Sequence, residues 1–520
     1  MDDKSIKAVQ GAGAVYFIFG AAGDLAHRKL YPALYSMYHK DELEENFAII
    51  GLSIEKRSHD EFCDHLYRSI QEFGHCKPDS NDGEWNEFIE HIQYMSLDID
   101  DTDGFYRLKQ AAEQLEEKFK IAGNRLFYLA LPPDLFDQAT SNIEKGGLLE
   151  SNGWHRLVIE KPFGSDLLSA QKLNQDIRKV FADKEIFRLD HYLGKEMVQN
   201  ISAVRFANSF FEFVWNNKYI SNIQITMSET NGVEDRGGYY DQAGALRDMG
   251  QNHMLQMLAM MAMEPPGRLC QEDIHDEKVK VFRALRVFST ATDVNKNVVR
   301  GQYSAGELDG KQKLAYRAEK SVAAKSNTET YFAAKVFVDN LRWAGVPFYI
   351  RTGKRLPVKT TEIVVEFKNA PDHVYFAKEN KLEPNLLVFR VSPLEGIYFK
   401  MNAKKLSSSP LYSHITPIVM DFSQTSLAEH NSTEAYELLL FDAASGDSSY
   451  FTKWEEIELA WGYVDKIAAA WAKNKQKLKL YPAGSWGPKE AQQLLEKDGF
   501  RWWPVNGQLE SEAVWVTGRS

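Results

Sequence analysis

Through the first third of the chain, short unbroken apolar runs alternate with amphipathic stretches. "AVYFIFG" at 14–20, "FAIIGLS" at 47–53, "RLFYLAL" at 125–131 and "HRLVIEKPFG" at 155–164 carry almost no polar positions at period two. Runs of that length read as strands buried on both faces, the pattern of a parallel sheet covered by helices. The intervening "GFYRLKQAAEQLEEKFK" at 104–120 places its apolar residues at helical spacing instead. From about residue 200 the strand candidates lengthen, as in "ISNIQITMSE" at 220–229, "TEIVVEFKN" at 361–369 and "NLLVFRVSP" at 385–393. The pattern predicts an α/β protein. An N-terminal Rossmann-like, doubly wound parallel sheet over 1–200 precedes a larger C-terminal α+β domain over 201–520, built on a mostly antiparallel sheet. No internal repeat or low-complexity linker interrupts it.

Composition narrows the classes without changing that picture. The 520 residues are 44% hydrophobic and 26% charged, ordinary for a globular protein of two or three domains. A formal net charge of -11 argues against nucleic-acid or membrane-surface binding by the molecule as a whole, so an anionic ligand has to be held by local groups. Cys63, Cys76 and Cys270 are odd in number and lack metal-ligand spacing, which fits a reducing cytoplasm and no structural metal. The methionine-rich "HMLQMLAMMAM" from His253 is too short to span a bilayer and reads as a buried helix packed by adaptable side chains.

Chemistry gathers in four stretches. After the first strand come Gly20, Ala21, Ala22, Gly23, Asp24 and Leu25, small residues opening a helix. They let backbone approach a pyrophosphate at the positive helix end, although the G-x-x-G spacing also serves close strand-to-helix packing. "EKPFG" puts Lys161 at a strand's carboxyl end, where ligands of open parallel sheets collect and where a solvated lysine is also unexceptional. "RLDHYLGKEMVQN" holds Asp190, His191, Tyr192 and Lys195. If the segment after Asp190 is helical, His191 and Lys195 share a face and bind one anion, naturally a phosphate, with Tyr192 donating. "YYDQAGALRDMGQNHM" adds Asp248 and His253. Oxidising an alcohol requires a base, and a histidine oriented by a carboxylate, Asp190 or Asp248, is the usual one; each histidine taken alone is equally a structural residue.

In order along almost the whole chain, "GAAGDLAHRKLYPAL", "RLVIEKPFG", "RLDHYLGKEMVQN", "GALRDMGQNH", "RWAGVPFYIRTGK" and "YPAGSWGP" closely resemble the motifs of the bacterial glucose-6-phosphate dehydrogenase family. The resemblance implies that His253 is the general base and Asp190 its partner. It implies that His191, Tyr192 and Lys195 bind the sugar's 6-phosphate, that Lys161 reaches both substrate and nicotinamide, and that Glu229, Asp248, Lys354 and Lys359 complete the sugar site. It further implies oxidation of glucose 6-phosphate to the lactone with NADP, and a homodimer or homotetramer joined through the second domain. His27, Gly250 and Ser392 depart from the family's usual residues without removing a catalytic group.

Cofactor choice is the open point. Where the family usually has an arginine for the 2′-phosphate of NADP, this chain has Ile54 followed by Glu55, Lys56 and Arg57. A carboxylate there favours the ribose hydroxyls of NAD, whereas a short shift of the loop brings Arg57 to the phosphate. The expectation is NADP, with NAD also accepted. Two rival readings, a catalytically silent sugar-phosphate sensor and an isomerase or cyclase that uses its dinucleotide transiently, differ from a dehydrogenase in accumulating no reduced cofactor.

Overall fold

In the computed structural model, residues 13–44, 46–79, 83–370, 382–404, 415–423, 434–474, 478–505 and 514–517 are described. The chain forms two compact units: Met1–Lys195 with Arg268–His275 and Ser432–Glu458, and Glu196–Gly267 with Asp276–Asn431 and Leu459–Ser520.

The first unit is built on six strands, β1 (Ala14–Phe19), β2 (Ala48–Ser53), β3 (Ile92–Ser96), β4 (Asn124–Leu129), β5 (His155–Glu160) and β6 (Ile186–Leu189). Every pairing is parallel, in the order β3-β2-β1-β4-β5-β6. The order reverses between β1 and β4, which opens a crevice at the strands' carboxyl ends. β1 and β4 are buried at every position; β1 is apolar throughout, whereas β4 opens on Asn124 and on Arg125, which is paired with Glu116. Phe17 lies opposite Phe127 in register, and their rings stack at 4.8 Å. Helix starts are set by short-range chemistry: Ser58 and Glu61 cap one helix reciprocally, Asp166 and Ser169 another.

The second unit carries a ten-stranded sheet. In chain order its strands are β7 (Ile220–Ser228), β8 (Val298–Ser304), β11 (Tyr331–Phe337), β12 (Pro347–Gly353), β13 (Thr360–Phe367), β14 (Leu386–Ser392), β15 (Gly396–Lys404), β16 (Ile415–Ser423), β17 (Lys479–Pro482) and β18 (Val514–Thr517). A separate hairpin pairs β9 (Gly306–Leu308) with β10 (Lys311–Lys313). The sheet order is β17-β8-β11-β12-β7-β13-β14-β15-β16-β18, antiparallel except where β17 meets β8, β12 meets β7 and β16 meets β18. The parallel contact between β12 and β7 matters most, because it brings two strand ends to the same edge.

The methionine-rich run is a helix, Leu255–Ala262, with every residue buried. It continues from a segment wound as a π-helix over Leu246–Met254. Among the described residues no helix is long and apolar enough to cross a membrane.

Phe127 is fully buried at the centre of the first sheet, so Phe127→Ala leaves a cavity flanked by rigid strands. A loss of about 3–5 kcal/mol in urea-unfolding free energy is expected.

Candidate active site

The loop leaving β1 is shaped by what a Cβ would strike. Gly20 has φ +86°, and a side chain there would run into the Ala130 carbonyl. At Gly23 a Cβ would lie 3.0 Å from the Gly20 carbonyl oxygen. The N–H groups of Gly20 and Ala21 both donate to Leu52 O at 2.9 Å, tying the loop to the end of β2. Helical backbone begins at Asp24, followed by Leu25, and the Gly23 N–H returns to Gly20 O at 2.9 Å. Such a cradle of small residues before a helix N-terminus suits a dinucleotide pyrophosphate.

At the end of β2, Ile54, Glu55 and Lys56 are exposed and Arg57 is half-buried. Arg57 Nε donates to Glu55 Oε2 at 2.9 Å, so the two opposing specificity candidates are paired with each other. Burial pushes the Tyr31 phenol well above its ordinary value and the Arg57 guanidinium pulls it back. The Tyr31 hydroxyl donates to Ala21 O at 2.5 Å, which ties this phenol to the glycine loop. His27 stacks on His65 at 4.9 Å and is occupied in packing.

Lys161 follows β5, and Asp190 follows β6, at the same end of the sheet as the loop after β1. Between them sits a residue the sequence did not single out. Glu160 Oε1 accepts a hydrogen bond from the Tyr128 hydroxyl at 2.6 Å, and the Tyr436 hydroxyl donates to the same carboxyl. Burial pushes Glu160 up to about 7. The two phenols and Lys161 oppose that shift, and the Asp190 carboxylate adds to it. Burial thus favours the protonated form of Glu160, beside both predicted site residues.

The stretch after Asp190 is a run of turns rather than helix, with helix starting at Glu196. Asp190 Oδ1 accepts the Tyr192 N–H at 3.0 Å, a local bond that competes with helix formation. The turn still gathers the predicted groups: the His191 and Tyr192 rings are 4.8 Å apart, and Lys195 Nζ lies 5.5 Å from the Tyr192 ring centroid. Gly194 is required by close approach, since a Cβ would lie 2.7 Å from the Ala435 carbonyl.

In the second unit, Glu229 follows β7 and Lys354 follows the neighbouring parallel β12. Their side chains form an ion pair at 2.6 Å over the Tyr240 ring. Lys359 precedes β13, which runs antiparallel to β7, and so reaches the same sheet end, exposed. Tyr481, from "YPAGSWGP", donates to Lys354 O at 2.7 Å and fixes that corner. Asp248 and His253 both lie in the π-wound segment, buried, five residues apart and thus near one face of a helix with i→i+5 bonding. Tyr239 OH donates to Asp248 Oδ1 at 3.3 Å. Burial pushes Tyr240 well above its ordinary value, and the carboxylates of Asp248 and Glu229 raise it further, so one phenol lies near both acids.

The family model described as "Glucose-6-phosphate dehydrogenase, NAD binding domain" matches residues 17–200, and "Glucose-6-phosphate dehydrogenase, C-terminal domain" matches 202–503. The chain belongs to the glucose-6-phosphate dehydrogenase family. Among relatives, the glucose-6-phosphate 1-dehydrogenase of Bacillus subtilis is 47% identical over 96% of this chain and all of its own length. The Streptococcus pneumoniae enzyme of the same name is 40% identical over 93% of this chain and 95% of its own. A solved glucose-6-phosphate dehydrogenase in complex with its substrate glucose-6-phosphate superposes with TM-score 0.86 at 33% identity, covering 95% of this chain and 99% of that one. The Mycobacterium avium glucose-6-phosphate 1-dehydrogenase gives 0.80 at 34%, covering 96% and 100%. Glu160, Tyr128 and Tyr436, clustered beside Lys161 and Asp190, were not found by motif reading. "EKPFG" displayed the acid, but no signal links it to a tyrosine so far along the chain.

The shift at Glu160 has a definite sign. A carboxyl at 4.5 in the unfolded chain and about 7 when folded binds its proton more tightly in the fold. Its contribution to stability is therefore complete below about 4.5, is lost as pH rises toward 7, and is absent above that. Glu160→Gln keeps a neutral hydrogen-bonding group there at every pH. Relative to wild type the variant should melt higher at pH 8 than at pH 5, by a difference of no more than about 3 kcal/mol. Melting curves that track wild type at both pH values would remove the proton from Glu160.

Proposed function

We propose that this chain oxidises the anomeric carbon of D-glucose 6-phosphate to 6-phospho-D-glucono-1,5-lactone and passes the hydride to NADP, with NAD also accepted. The observation that carries this reading is likeness to glucose-6-phosphate 1-dehydrogenases along 96% of the chain at 47% identity. In support, the site residues expected from the sequence stand near strand ends and on the π-wound helix. Residues 1–200 act as the dinucleotide-binding domain and 201–520 as the substrate-binding and oligomerisation domain of a cytoplasmic homodimer or homotetramer.

The nicotinamide supplies the redox chemistry by accepting hydride. His253 removes the proton from the anomeric hydroxyl, and Asp190 acts as the partner carboxylate of the resulting imidazolium. His191, Tyr192 and Lys195 grip the 6-phosphate, far from the reacting carbon, so that binding energy there fixes the carbon's position. Lys161 reaches substrate and cofactor together. Glu229, Asp248, Lys354 and Lys359 receive the sugar hydroxyls, and the Glu229–Lys354 ion pair holds donor and acceptor ready for them. Gly20, Ala21, Ala22, Gly23, Asp24 and Leu25 hold the pyrophosphate, and Arg57 holds the 2′-phosphate once Glu55 yields it.

Formation of reduced cofactor from glucose 6-phosphate, followed at the nicotinamide absorbance band, tests the reaction directly. His253→Asn should then lower turnover about 10²–10⁴-fold while leaving sugar-phosphate affinity largely intact; near-normal turnover would assign the base elsewhere.

Arg57→Ala should raise the Michaelis constant for NADP much more than that for NAD. Glu55→Ala, which releases Arg57, should leave NADP use unharmed. A wild-type preference for NAD of tenfold or more in kcat/KM, about 1.4 kcal/mol, would make Glu55 the specificity residue instead.

A further inference from the structure

A cavity of about 830 Å³ in the second unit lies outside the site described above and is lined by Arg247, Arg300 and Arg317 with Glu329 and Trp471. Its size falls within the usual range for small-molecule sites, and its lining is unusual in carrying three guanidinium groups against one carboxyl. Arg300 and Glu329 form the buried floor, with 7% and 6% of their surface exposed, while Arg317 stands exposed at the rim.

The cationic groups are held in place before any ligand arrives. Arg300 lies over the Trp471 ring, 5.2 Å from its centroid, and Arg317 Nε donates to Ser326 O at 2.8 Å, which fixes the fork. Glu329, one carboxyl against three guanidinium groups, leaves the lining net positive. Its Oε1 accepts the Leu246 N–H at 3.1 Å, and burial raises its pKa while the two backbone bonds, Arg247 and Arg300 draw it back. Planar guanidinium groups in a concave, partly dry setting recognise phosphate and carboxylate oxygens through paired, charge-assisted bonds.

The floor is also joined to the π-wound helix. The Ala245 N–H donates to Glu329 O at 2.9 Å, and the Leu246 N–H to its side chain. Gly244 turns the chain at φ +68°, against the Glu329 carboxyl, where a Cβ would collide. Arg247 precedes Asp248 directly. Whatever moves Arg247, Arg300 or Glu329 therefore acts on the first turn of the segment that bears Asp248 and His253.

We propose that this cavity binds a small organic polyanion, a phosphate ester or a tricarboxylate with at least two negative charges, and that its occupancy is transmitted through Glu329 to the helix carrying Asp248 and His253. The probes are pyrophosphate and citrate, each titrated calorimetrically into full-length enzyme held in saturating glucose 6-phosphate without cofactor, so that the sugar-phosphate site is filled. One of them should bind saturably at one site per chain, pyrophosphate marking the phosphate class and citrate the tricarboxylate class. Arg317→Ala, at the exposed rim, and Arg300→Gln should each weaken that binding tenfold or more. In the steady-state assay the bound probe should change kcat by at least twofold in wild type and not in Arg317→Ala. The proposal is overturned if neither probe binds, if Arg317→Ala binds as wild type does, or if binding leaves turnover unchanged. Calorimetry needs no turnover, so these results are separate from a failure of the oxidation itself, which the assay without probe reads.

Discussion

A helix that ends in the dry interior must find donors for its last carbonyls, and here that requirement fixes the segment bearing the histidine. The helix Leu255–Ala262 is buried at every residue and apolar at all but Gln256, so its C-terminal oxygens see no water. Arg205 donates to Met260 O at 3.0 Å and to Met263 O at 2.8 Å, Trp215 to Met261 O at 2.9 Å, and Trp343 to Ala262 O at 2.8 Å. Four successive carbonyls are thus held by three large, buried side chains from outside the helix. Removing any of them would leave a buried acceptor unsatisfied, at a cost of about 1–3 kcal/mol. Because the π-wound segment runs straight into this anchored cylinder, His253 inherits its rigidity.

The first unit solves a different problem, keeping charge at a sheet edge without losing the sheet's dry interior. Asp190 and Lys161 are both brought to the carboxyl ends of parallel strands, beside a third ionisable group, Glu160. Two phenols and a proton shared with the medium make that third group tolerable, since an unpaired carboxylate there would be strongly disfavoured. The hydrogen bonds from Tyr128 and Tyr436 hold the Glu160 carboxyl in place there.

Much of this was legible in the sequence because it is local or periodic. Four of the six parallel strands announced themselves as apolar runs, since each is covered on both faces. β3 did not, because it is mostly half-exposed, and β6 is four residues long with a buried arginine, Arg188, held by Asn174 and Asp183. The motif residues after Asp190 were readable as a group, but not their backbone: the Asp190 side chain captures a nearby N–H and the segment turns where the spacing suggested a helix. The pairing of Glu229 with Lys354 was illegible, since it depends on two distant strands lying parallel and adjacent. Tyr436 was hidden for the same reason, as the stretch Ser432–Glu458 returns to a unit otherwise made almost wholly of the first 195 residues.

The wide winding between Leu246 and Met254 also ties the chain length there to the placing of Asp248 and His253. A turn closed i→i+5 holds one residue more than an ordinary helical turn, so a one-residue deletion would be taken up by tightening the segment to i→i+4 bonding. His253 would then stand four residues from Asp248 instead of five, while the carbonyls of Met260 through Met263 keep their place on Arg205, Trp215 and Trp343. Substitutions in this stretch can be absorbed one side chain at a time, whereas a deletion resets how Asp248 and His253 are placed against each other. The spacing between "LRD" and "QNH" is in that sense a ruler cut to the site.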